Sequence, residues 1–122
     1  MDRQVFALGS ILALLAVAAG AFGGHALKDS LGPDRLDVFK TAAQYQMYHS
    51  LALIAVGIAA SRWQDGLINV AGWLFVAGIV LFSGSLYALA ITDVKVLGAI
   101  TPLGGLCFMA GWLCLALGVW RS

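Results

Sequence analysis

The stretch LINVAGWLFVAGIVLFSGSLYALAIT, residues Leu67–Thr92, decides the fold, because it runs without a charged residue for longer than the roughly 20 residues a helix needs to cross about 30 Å of hydrocarbon. Its apolar character is continuous rather than alternating, so a membrane-spanning helix is expected and a strand of a β-barrel is not. Three further runs share this character: Val5–Gly24, Thr41–Ser61 and Val96–Trp120. All seven Lys/Arg and all six Asp/Glu fall between or beyond the four runs.

The chain has 122 residues, 61% of them hydrophobic and 11% charged, with a mean hydropathy of +0.93. That leaves too little polar surface to coat a soluble domain. The expected fold is an all-α integral membrane protein, a compact up-down bundle of four transmembrane helices in a single domain (1–122), with helices near 5–27, 34–61, 67–92 and 96–120. The N-terminal run exceeds the 7–15 apolar residues typical of a signal-peptide core, so it reads as the first membrane helix.

A formal net charge of +1 and the lack of any Lys/Arg cluster argue against nucleic acid as a partner. Cys107 and Cys114 are separated by about 10.5 Å of helical rise, which excludes a disulfide between them within one intact helix. They read as small core residues. Orientation is weakly determined: Arg3, Arg62 and Arg121 face Lys28, Arg35, Lys40 and Lys95 across the membrane, and three against four sets no direction under the positive-inside rule. An even number of crossings with short tails favours both termini in the cytoplasm.

Small residues mark where helices approach closely: Ala16, Gly20 and Gly24; Gly72, Gly78 and Gly84; and Gly104, Gly111 and Gly118 at seven-residue spacing. The last row is expected to pack against a neighbouring helix, a second copy or a partner membrane protein. An internal echo at an offset of 60 sets Phe22-Gly23-Gly24 against Phe82-Ser83-Gly84, as two tandem hairpins would.

The polar residues inside the runs gather towards one side. Gln46 and His49 lie about 9 and 13 Å in from Lys40, Tyr87 and Ser83 about 9 and 15 Å in from Asp93, and Thr101 about 9 Å in from Lys95, with His25 at the mouth. Tyr45, Gln46 and His49 fall within about 100° of arc on one helix face. Hydrogen-bonding groups at such depth are costly unless paired, so the stripes should point inward and either satisfy one another or hold a ligand. The expected ligand-binding set is His25, Tyr45, Gln46, His49, Ser83, Ser85, Tyr87 and Thr101.

No cofactor or metal is expected. His25 and His49 differ in depth by about 9 Å, which does not suit joint ligation of haem or metal. No nucleophile–base pair and no intramembrane carboxylate is present, so catalysis is not expected. The residues favour a module that binds membrane lipid or an apolar small molecule. An accessory subunit packing against partner membrane proteins and a narrow channel or transporter stay open.

The strings Gly20-Ala-Phe-Gly-Gly-His25-Ala-Leu, Ala43-Gln-Tyr-Gln-Met-Tyr-His49, Leu81-Phe-Ser-Gly-Ser-Leu-Tyr87 and Thr101-Pro-Leu-Gly-Gly105 resemble the small membrane proteins of domain-of-unknown-function family 423 over nearly the whole chain. The resemblance implies a multi-pass protein of the bacterial inner membrane with four helices. It supplies no mechanism.

Overall fold

The structure, a computed structural model, describes residues 2–122. Four helices account for most of them: α1 (Asp2–Ala26), α2 (Pro33–Arg62), α3 (Gly66–Thr92) and α4 (Thr101–Arg121), the last entered through a 3₁₀ turn at Lys95–Ala99. Among the described residues there is no strand.

Local chemistry sets the helix ends. Gly32 is extended (φ −64°, ψ 166°), and Pro33 and Asp34 open α2, where a missing N–H is harmless and a negative charge meets the positive end of the helix dipole. Asp65 caps α3 by accepting the Leu67 N–H at 2.9 Å. At the other end of α3 Asp93 takes the left-handed conformation (φ 56°) and its N–H closes on the Leu89 carbonyl at 2.8 Å. Arg35, near the start of α2, donates to the Ala90 and Ile91 carbonyls at 2.8 and 2.7 Å, so a cation from one helix satisfies the final turn of another.

Two helices carry π-helical segments, Ala18–Gly23 in α1 and Ile79–Ser83 in α3, each followed directly by a glycine, Gly24 or Gly84. The two segments end at matching positions of the 60-residue echo, which therefore has a counterpart in backbone geometry.

Successive helices are antiparallel, and α2 and α3 form the centre. The core is built by Ala52, Leu53, Val56 and Ala59 of α2, Ile68, Ala71, Phe75 and Ile79 of α3, and Phe108 of α4. α1 packs on α2, and α4 on α3, but α1 and α4 do not pack against each other. α1 lies at the margin of the bundle: only 11% of its most apolar stretch is buried, against 33% in α3 and 22% in Lys95–Arg121. α1 meets α2 along a close seam: a Cβ at Gly9 would stand 2.7 Å from the Ser50 carbonyl oxygen, and one at Gly57 2.8 Å from that of Asp2, so the backbones touch.

The α4 glycine row is spent inside the chain. A Cβ at Gly104 would collide with the Phe82 backbone, one at Gly111 would lie 2.7 Å from the Phe75 ring, and one at Gly118 2.9 Å from Ile68. In return Gly78 of α3 admits the Phe108 ring. Of the outcomes expected for this row, the neighbour it meets is α3.

By length and composition α1, α3 and the stretch Lys95–Arg121 can cross a membrane. α2 is the longest helix but is not among these spans, since Gln46, His49 and Ser50 lower its apolar content. Those three side chains are all buried against protein.

Candidate functional site

The polar layer sits where α2 meets the other three helices. Gln46, 6% exposed, donates from Nε2 to the Leu12 carbonyl of α1 at 2.9 Å and accepts at Oε1 from the Tyr87 hydroxyl of α3 at 2.7 Å. A carbonyl only accepts, so Nε2 must face Leu12, and the amide orientation is fixed by its partners. One side chain joins three helices. Phe39 supports the arrangement by meeting the Tyr87 ring edge to face, with centroids 5.1 Å apart.

One turn further along α2, His49 connects to α4. Its Nδ1 lies 2.8 Å from the Tyr45 carbonyl, and Trp112 Nε1 donates to its Nε2 at 3.1 Å. The carbonyl requires a donor at Nδ1 and the indole an acceptor at Nε2, so only the neutral Nδ1–H tautomer satisfies both. The imidazole also stacks on Phe108 with centroids 3.5 Å apart and planes 6° from parallel. Both ring nitrogens are engaged by protein, which leaves no lone pair for a metal.

The serines complete the layer. Ser83 donates to the Ala42 carbonyl of α2 at 2.8 Å, and Ser50 to the Gln46 carbonyl at 2.6 Å. Ser85 faces the other way, 2.6 Å from the Thr101 hydroxyl. Because Ser85 also donates to the Phe82 carbonyl at 3.0 Å, Thr101 is the donor of that pair.

Of the eight residues singled out from the sequence, Gln46, His49, Ser83 and Tyr87 line the seams of α2, while Ser85 and Thr101 form a separate pair between α3 and α4. Tyr45 contributes its ring, 4.5 Å from that of Phe82. His25 is exposed at the end of α1 and joins none of these contacts. Sequence reasoning missed Trp112 and Phe108, although the two stand four residues apart on α4, flanking the glycine row.

Among the described residues no buried side-chain nitrogen or oxygen lacks a hydrogen-bond partner. The layer is therefore closed as a network. Among the described residues there is also no group of three or more His, Cys, Asp or Glu placed to hold a metal. Cys107 and Cys114 are free and half-buried.

A cavity lies elsewhere. Val5 and Leu8 of α1, Leu53 and Val56 of α2, and Gly72 and Val76 of α3 line a half-open cavity of about 150 Å³, with Gln4, Asn69 and Trp73 also at its wall. It occupies the gap that α1 leaves beside α3. On that side of the protein Arg121 closes on Asp65 at 2.7 Å, and this hydrogen bond, followed by the Leu67 N–H, holds the Asp65 carboxyl below its ordinary range.

A family model described as "Protein of unknown function (DUF423)" matches residues 19–105. The chain belongs to the DUF423 family. The membrane protein YwdK of Bacillus subtilis is 50% identical over 111 residues, covering 90% of this chain and 90% of its own. Relatives described as UPF0382 membrane proteins in Staphylococcus saprophyticus and Staphylococcus haemolyticus are 47% and 46% identical over 114 residues, covering 93% of this chain and 94% and 93% of theirs. No solved structure matches. The names of these relatives give a membrane protein and no activity. The matched segment contains Gln46, His49, Ser83, Ser85, Tyr87 and Thr101 and stops short of Phe108 and Trp112.

Proposed function

We propose that this DUF423 protein crosses the bacterial inner membrane four times and is a non-catalytic module that holds an apolar chain, of a lipid or a small molecule, in the cavity between α1, α2 and α3. α2 supplies the fourth crossing. At 30 residues it spans about 45 Å, and with Gln46, His49 and Ser50 buried against protein it needs less apolar surface than a helix that turns such groups to lipid.

The observation that carries the reading is the cavity of about 150 Å³, walled by aliphatic side chains from three helices. An apolar void on that scale, about what accepts benzene in a protein interior, takes a few methylenes of a chain. The polar layer serves it indirectly. Gln46 pins α1 at Leu12 and sets the width of the gap, while His49, Ser83, Ser85, Tyr87 and Thr101 hold α2, α3 and α4 as one body. A transport path is disfavoured, because the core of Leu53, Val56, Ile68, Ala71 and Phe75 closes off the side nearer Arg62.

Native mass spectrometry of gently purified protein, with thermal stability measured across a panel of lipids and quinones, tests the reading. Retained lipid and a stabilising shift, both lost on Leu8→Trp, are expected. A clean apo-protein with no shift across the panel would remove it.

A further inference from the structure

A second groove opens towards the other end of α1 and shares no residue with the apolar cavity. It is shallow, about 370 Å³, and follows the α1–α2 seam. Small residues form its floor, Ala16 and Gly20 of α1 and Ala43 of α2, while Lys40, Gln44 and Tyr48 line its α2 side. Those three stand four residues apart and therefore share one helix face.

The course of the Lys40 side chain is marked by α1: its Cε lies 3.8 Å from where a Cβ on Gly24 would stand, so it reaches from α2 across the seam at the outer end of the groove. Among the described residues no carboxylate pairs with it, Asp37 one turn away included; Asp93 pairs with Lys95 and Asp65 with Arg121. About 6 Å deeper, Gln44 is exposed and donates from Nε2 to the Tyr48 hydroxyl at 2.6 Å. Tyr48, about 12 Å below Lys40, is held edge to face by the Tyr45 ring. The phenol proton, the second amide N–H and the amide oxygen are left open to an outside partner. Gln46, His49 and Ser50 on the same helix are buried against protein, so this pair alone of the neighbouring polar groups is turned outward, where bare hydrocarbon would be a costly surrounding.

Cation, amide and phenol, in that order of depth, match the phosphate, the ester groups and the upper acyl chain of a phospholipid, and the small floor leaves room for the chain against α1. A second copy fits less well. A twofold dimer along the membrane normal sets residues of equal depth against each other, so each Lys40 would meet its own like charge.

We infer that this groove holds an anionic glycerophospholipid, its phosphate at Lys40, its esters at Gln44 and Tyr48 and one acyl chain over Gly20. The site is separate from the cavity between α1, α2 and α3 and does not depend on what that cavity holds.

The test is native mass spectrometry of the full chain equilibrated with equimolar phosphatidylglycerol and phosphatidylcholine of matched acyl chains. The wild type should favour phosphatidylglycerol by about fivefold, the factor one basic side chain contributes near a membrane surface. Leu8→Trp, aimed at the apolar cavity, should keep that preference. Lys40→Gln should abolish it, whereas Lys95→Gln, which removes an exposed cation on the same side of the membrane, should leave it intact. Gly20→Leu, whose Cβ meets that of Ala43 at an ordinary 3.6 Å, should fill the floor and release the phosphatidylglycerol. The assignment is overturned by a wild type without preference, by a preference that survives Lys40→Gln or falls equally with Lys95→Gln, or by one lost with Leu8→Trp. Phosphatidylglycerol kept by Gly20→Leu at the wild-type level overturns it too, and a dimer that Gly20→Leu dissociates would put a second copy in the groove instead.

Discussion

The Tyr87 hydroxyl donates a hydrogen bond to Gln46 Oε1 across the α2–α3 seam at 2.7 Å, and through the other end of the same amide that contact extends to the Leu12 carbonyl of α1. A three-helix junction thus depends on a single side chain. Without it α1 would lose its polar tie to the rest of the bundle and keep its apolar packing on α2.

Gln46→Leu is expected to destabilise the protein by about 1–3 kcal/mol, the sum of two interhelical hydrogen bonds in a membrane. The relevant measurement is a double-mutant cycle with Tyr87→Phe in detergent unfolding. A coupling of about 0.6–1.7 kcal/mol is expected. Strict additivity would show that the contact is not made.

His49 should be a neutral Nδ1–H imidazole. Nitrogen-15 NMR of histidine-labelled protein reads the tautomer directly, and Trp112→Phe, which keeps the ring but removes the donor, should move the Nε2 resonance while leaving Nδ1 nearly unchanged. A wild-type Nε2–H signal would refute the arrangement of Tyr45, His49 and Trp112.

Glycines of similar appearance should respond differently to alanine. At Gly24 a Cβ would meet Lys40 Cε at 3.8 Å, an ordinary contact, so Gly24→Ala should be nearly neutral. At Gly104 it would strike the Phe82 backbone, and Gly104→Ala should cost about 1–3 kcal/mol through displaced helices. Thermal unfolding of the two variants side by side decides this, and equal effects would contradict the α3–α4 packing.

Acidification should loosen the end of α4. The Asp65 carboxyl is held low chiefly by its hydrogen bond from Arg121, so the folded state favours the charged form. That contribution is complete above the ordinary value of 3.8 and is lost as the pH falls below it through the lowered folded-state value. The stability difference between wild type and Asp65→Asn should therefore hold steady at neutral pH and shrink only in strong acid. A difference that vanished near pH 6 would point to another group.

The helical architecture and the inward turn of the α2 stripe were legible because charge-free length and helical spacing are properties of the chain alone. Gln46 and His49, three residues apart, had to share a face. Whether that face held a ligand or closed on itself was not legible, since the answer lay with Trp112, Phe108 and a backbone carbonyl at Leu12. Hydropathy gives no sign that a tryptophan will donate to a particular imidazole. The marginal place of α1 was hidden for a related reason: Gly9 and Gly57 permit close contact with α2 without announcing that the rest of α1 meets little else. Ser83 and Ser85 look interchangeable in sequence, yet the helix turns them to different neighbours.

The π-helical segment at Ile79–Ser83 sets the rotational phase of everything after it in α3. Each residue added to or removed from a helix turns the remainder by about 100°. Straightening this segment to α-helix with no residue removed would turn the remainder of α3 by about one residue's rotation and swing the phenol of Tyr87 away from α2, so the junction with Gln46 would come undone with every one of its side chains still present.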